Sequence, residues 1–119
     1  MEDLSHDQDS AALLREALAS GKPLGIVCHA PAAILATREP DGSTPFANYR
    51  VTGFTNEEEA GVGFADRAKW LLEDELKRFT QYSKVAPWQP YTVVDRTLIT
   101  GQNPASSGPL GKLLVKALS

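Results

Sequence analysis

The sequence predicts an α/β fold with a mostly parallel sheet. Helix-like and strand-like segments alternate from the N-terminus onward, as such folds require. Leu24 to Val27 is a short apolar run between turn signals, the pattern of a strand buried on both faces. A run of small residues follows it at once, as at a strand-to-helix joint. The chain has 119 residues with 42% hydrophobic content, enough for one ordinary domain with a real core.

The residues up to about Asp9 are acidic and suit the start of a helix dipole. A helix is expected from about Ser10 to Ser20, with Ala11, Leu14 and Leu18 on one face and Arg15 opposite. Gly21 fits its C-cap, and Pro23 prevents continuation. After the strand at 24–27, Ala30 to Thr37 reads as a short helix. Residues 38–47 read as a surface loop punctuated by two prolines and a glycine. Tyr49 to Thr52 is a candidate strand closed by Gly53. Thr55 and Glu58 have the spacing of a capping box. Ala68 to Phe79 reads as a helix with Leu72, Leu76 and Phe79 on one face and i,i+4 pairs Glu73–Lys77 and Asp74–Arg78. Strands are expected at Tyr82 to Val85 and Thr92 to Asp95, split by Pro87-Trp88-Gln89-Pro90. Leu98 to Gly101 completes a small hairpin whose turn lacks the usual Gly. Leu110, Leu113, Leu114, Ala117 and Leu118 form the apolar stripe of a final helix.

Composition excludes several functions. Twelve basic against fifteen acidic residues give a net charge of −3, and no Lys/Arg run is present, which argues against nucleic acid as a partner. No apolar stretch reaches the roughly 18 residues needed to span a membrane. The acidic start resembles neither a signal peptide nor a transit sequence, and one cysteine makes no internal disulfide, so the expected compartment is cytoplasmic.

Cys28, the only cysteine, falls where the apolar strand gives way to Ala30, Ala32 and Ala33. A free cysteine is commonly just a small buried hydrophobe. On this joint it has the placement of a nucleophile on an elbow, lifted from the sheet and aimed along a helix N-terminus that favours thiolate. His29 is a candidate base beside it. An imidazole in that role needs an orienting acid, and Glu57, Glu58 and Glu59 are available; spacing alone does not select among them, and such a run is more often a solvated face. His6, His29 and Cys28 lack zinc-site spacing. The segment 101–107 reads either as a turn with a Ser cap or as pocket lining, and Trp88 and Tyr91 as core or rim aromatics.

These segments resemble a known family. Gly25-Ile26-Val27-Cys28-His29-Ala30-Pro31 is similar to the nucleophile elbow of the ThiJ/PfpI superfamily, whose fold is like the class I glutamine amidotransferases. Four ordered downstream segments are similar to its glyoxalase III and stress-chaperone-like branch. They are 49–59, 71–76, Pro87-Trp88 and 98–107. The resemblance implies a three-layer flavodoxin-like sandwich, with residues 1–119 forming one partial domain equivalent to the C-terminal half. Under it Cys28 is the nucleophile and His29 its partner. The branch places its triad acid five residues after Phe54, which is Glu59. It implies a small-molecule carbonyl substrate such as methylglyoxal, converted to a 2-hydroxy acid without added cofactor, and leaves room for a homodimer. Ala30 stands where many members have Gly. Members also carry a Gly-Gly-His-Gly loop and an earlier acidic residue that this chain lacks, so a fragment, an alternative start or a truncated reading frame is expected. A non-catalytic chaperone-like module, an amidase- or protease-like member and a peroxide sensor built on a low-pKa thiolate are the alternatives.

Overall fold

Helix α1 (Gln8–Ser20) begins two residues earlier than expected because the Asp7 side chain caps it, accepting from the Asp9 N–H. It ends at Gly21, which takes the left-handed conformation at φ 72°. The computed structural model describes residues 1–119. Then follow β1 (Leu24–Val27), α2 (Ala32–Leu35), β2 (Arg50–Val51), α3 (Asn56–Gly61), α4 (Leu72–Phe79), β3 (Gln81–Tyr82), β4 (Thr92–Asp95), β5 (Leu98–Gly101) and α5 (Ser107–Leu118). Single 3-10 turns lie at Leu4–His6 and Pro104–Ser106.

The strands form two small sheets. In the first, β5 lies between β1, which it pairs in parallel, and β4, which it pairs antiparallel. In the second, β2 and β3 pair in parallel. All four residues of the central β5 are buried. Helix α5 packs against β1 and β5. Close approach there is permitted by Gly25, where a Cβ would meet Leu110 Cδ2 at 3.0 Å. Ile26, Ile34, Leu35, Phe46, Val51, Phe54, Leu72, Leu76 and Leu98 make up most of the core.

Several expectations need correction. The helix expected over 30–37 shrinks to four residues flanked by tight turns, with Ala32, Ala33, Ile34 and Ala36 each donating to the carbonyl three residues back. The loop at 38–47 is not wholly on the surface: Phe46 is fully buried, and Thr37 and Thr44 share a hydroxyl hydrogen bond of 2.6 Å beside it. Helix α4 starts at Leu72 rather than 68, because a turn closes on the Phe64 carbonyl, which accepts from the Arg67 and Ala68 N–H groups. Glu73–Lys77 forms as an ion pair at 2.6 Å, whereas Asp74 accepts from Asn56 and Arg78 pairs with Glu75 instead. The strands expected at 49–52 and 82–85 are each two residues long. The hairpin turn without glycine is closed by Arg96 at φ 57°.

Candidate active site

Cys28 is still part of the β1–β5 ladder through its N–H, which donates to the Gly101 carbonyl at 2.9 Å. Its carbonyl accepts from the Phe54 N–H at 2.9 Å. Between these anchors the residue adopts φ 65°, the left-handed region that an L residue with a side chain enters at a cost. Two backbone bonds from different elements therefore hold the cysteine on a bend its own preferences oppose, as expected at a functional joint.

The side chains after the bend form a chain of contacts. Cys28 Sγ lies 3.5 Å from His29 Nδ1. His29 Nε2 lies 2.8 Å from Glu59 Oε2. A Glu59 carboxylate can only accept, so a neutral His29 in this geometry places its proton on Nε2 and leaves Nδ1 as the acceptor facing the thiol. Phe54 packs on the imidazole, ring centroids 4.3 Å apart, and Trp88 meets Phe54 edge-on at 5.6 Å. The imidazole is partly exposed, while the Glu59 carboxylate is buried.

The capping box explains how Glu59 arrives there. The Thr55 hydroxyl accepts from the Glu58 N–H and the Glu58 carboxylate accepts from the Thr55 N–H, which fixes the start of α3. The three glutamates then diverge. Glu57 stays in solvent, 3.5 Å from Lys84. Glu58 is fully buried and accepts five hydrogen bonds: from the Thr55 N–H and hydroxyl, the Trp88 N–H, Gln102 Nε2 and Asn103 Nδ2. Glu59 faces His29. The solvated-face expectation therefore fails for two of the three. Burial would push the Glu58 carboxyl up, but the donors from Trp88, Asn103 and Thr55 outweigh it and hold the group below the usual carboxylate range. Segment 101–107 is neither a Ser cap nor pocket lining. Ser106 makes no side-chain cap, and Gln102 and Asn103 are spent on Glu58.

The expected thiolate is not supported electrostatically. Burial pushes the Cys28 thiol up, the His29 backbone N–H pulls it down, and the nearby Glu58 and Glu59 carboxylates push it up again, for a net rise. Helix α2 is too short and starts too late, at Ala32, to offset them.

A cleft of about 780 Å³ opens over His29 and Glu59. Val62, Phe64, Arg67 and Lys69 line its far side; they lie in a stretch without any motif, and no signal in the sequence singled them out. No group of three or more His, Cys, Asp or Glu is arranged to hold a metal. No helix is long and apolar enough to cross a membrane.

Fold and site define an α/β protein with a cysteine on a strand-to-helix bend, backed by a histidine and a buried glutamate. Known proteins share this arrangement of chain. No protein-family model matches. A Staphylococcus aureus protein named protein/nucleic acid deglycase HchA is 30% identical over 120 residues, covering 97% of this chain and 41% of its own length. The crystal structure of the Francisella tularensis rapid encystment protein of 24 kDa superposes with a TM-score of 0.90 at 30% identity, over 98% of this chain and 52% of that one. Glyoxalase III from Candida albicans shares the fold, with a TM-score of 0.86 at 24% identity over 97% of this chain and 51% of that one. The chain is thus similar in sequence to the deglycase and in fold to all of these proteins, and spans about half or less of the length of the proteins it matches.

Proposed function

We propose that this segment carries the reacting groups of a cofactor-independent cysteine enzyme that converts 2-oxoaldehydes, such as methylglyoxal, to 2-hydroxy acids. The observation that carries the proposal is the continuous contact from Cys28 Sγ through the His29 imidazole to the buried Glu59 carboxylate. The thiol starts protonated, so His29 Nδ1 takes its proton as sulfur adds to the aldehyde carbon, and Glu59 stabilises the imidazolium. The hemithioacetal then loses the hydrogen on that carbon as a proton, and the neighbouring carbonyl carbon gains one. The aldehyde carbon is thereby oxidised and its neighbour reduced within one molecule. Water hydrolyses the resulting thioester and returns the thiol. No external electron carrier is needed. The names of the deglycase and glyoxalase relatives support this class of substrate.

The test is loss of methylglyoxal with formation of lactate. Activity is expected to vanish in Cys28→Ala and to fall about a hundredfold in Glu59→Gln, in the range for loss of a positioned acid–base partner. Equal rates in wild type and Cys28→Ala would overturn the proposal. A chaperone-like role has one supporting observation, the exposed Leu13, Val115 and Leu118. Suppression of client aggregation that survives Cys28→Ala, without turnover, would favour it.

A further inference from the structure

The cleft over His29 and Glu59 carries charges the proposed chemistry does not use. Three of its charged groups are already engaged: Glu59 holds His29 at 2.8 Å, and Lys69 and Glu2 lie 3.8 Å apart. Arg67 has neither an ion pair nor a side-chain hydrogen bond, and is the one cation of the lining left unpaired. Asp3 is its counterpart, a carboxylate in the same lining with no ion pair. Val62 and Phe64, 56% and 38% exposed, add apolar surface to the same wall. A guanidinium left free beside apolar surface suits a ligand with a short carbon chain ending in an anion.

We infer that Arg67 is a specificity-determining residue that selects 2-oxoaldehydes bearing a terminal anionic group, with Val62 and Phe64 contacting the intervening carbons. The inference rests on the function proposed above and narrows its substrate class. Asp3 repels the anionic end and so reduces the preference that Arg67 provides. Lys69 contributes less while Glu2 neutralises it.

The experiment compares a 2-oxoaldehyde carrying a terminal carboxylate with the methyl ester of the same compound, in short assays that limit arginine modification. Wild type is expected to favour the acid in kcat/KM by about tenfold, the scale of one charge-assisted contact. Arg67→Gln should bring the acid-to-ester ratio close to one, Arg67→Lys should keep part of the preference, and Asp3→Asn should raise the ratio further. An Arg67→Gln protein that keeps the wild-type ratio, or a wild type without preference, overturns the inference while leaving the proposed function standing. If neither compound turns over, that function fails, and binding decides the inference separately. The 2-hydroxy diacid corresponding to the product should shift the His29 imidazole signals in wild type and not in Arg67→Gln, and equal shifts in both overturn it. Arg67 is exposed, so these variants are expected to melt within a few degrees of wild type.

Discussion

At Cys28 two demands oppose each other. The bend lifts the sulfur toward His29, but the left-handed backbone at φ 65° costs about 1–2 kcal/mol for a residue with a Cβ. Glycine escapes that cost and gives back roughly 0.5–1 kcal/mol through its more flexible unfolded state. Cys28→Gly is therefore expected to be more stable than Cys28→Ala by about 0.5–1 kcal/mol, an upward shift of a few degrees in thermal melting; a lower melting point for the glycine variant would show that the bend is not strained. The same thiol titrates high because burial and two carboxylates disfavour its anion. Alkylation by iodoacetamide should accordingly rise with pH with a midpoint above the ordinary thiol value of about 8.5, and a midpoint below neutrality would refute the electrostatic account. The sign for stability follows. The native state holds this proton more tightly than the unfolded chain, so the thiol's contribution is intact below the unfolded value and is lost as pH climbs through the native one. Cys28 and His29 were legible as neighbours in sequence at an obvious joint. The direction of the thiol's titration was not, because it depends on Glu58 and Glu59, which reach it only through the fold.

Helix α3 joins its own cap to a distant segment through Glu58. The capping box was readable from Thr55 and Glu58 because it is local. The three donors from 88–103 were not, since nothing in their spacing points at a glutamate thirty or more residues earlier. Replacing Glu58 by Gln puts an amide where only an acceptor fits, against at least one buried N–H, and should destabilise the protein by about 2–4 kcal/mol in denaturant titration. Thr55→Ala removes only the local part and should cost about 1 kcal/mol. Because the Glu58 carboxyl titrates below the usual range, its stabilisation is complete above about pH 4.3 and is lost as pH falls through its native value. Glu58→Gln should therefore flatten the acid limb of the stability curve, and an unchanged acid limb would mean that another carboxylate governs it.

Over the whole molecule, the elements placed most accurately from sequence are β1, β4 and β5, whose short apolar runs are bounded by Pro, Gly or a tight turn. The two-residue β2 and β3 were overextended: the Ser83 N–H still donates to the Val51 carbonyl, but beyond it the Thr52 N–H goes to the Thr100 hydroxyl and the Val85 N–H to the Gln102 side chain. Periodicity also marks the apolar stripe of α5 without saying what covers it. Leu110 is buried against Gly25, but Val115 and Leu118 are 67% and 68% exposed. Across the sheet Leu13 of α1 is 66% exposed, and β1 lies between these layers as an edge strand paired on one side only. Apolar side chains on both layers beside an unpaired strand edge form a surface that attracts other apolar matter. The protein is thus expected to enhance the fluorescence of an apolar dye such as anilinonaphthalene sulfonate while fully folded. The double variant Val115→Glu and Leu118→Glu should lower that signal, and its melting point should stay within a few degrees of wild type, because neither side chain contributes to the core. A large drop in melting point would mean that the face is packed rather than open. An unchanged dye signal would place the apolar surface elsewhere, with Leu13 the next position to change.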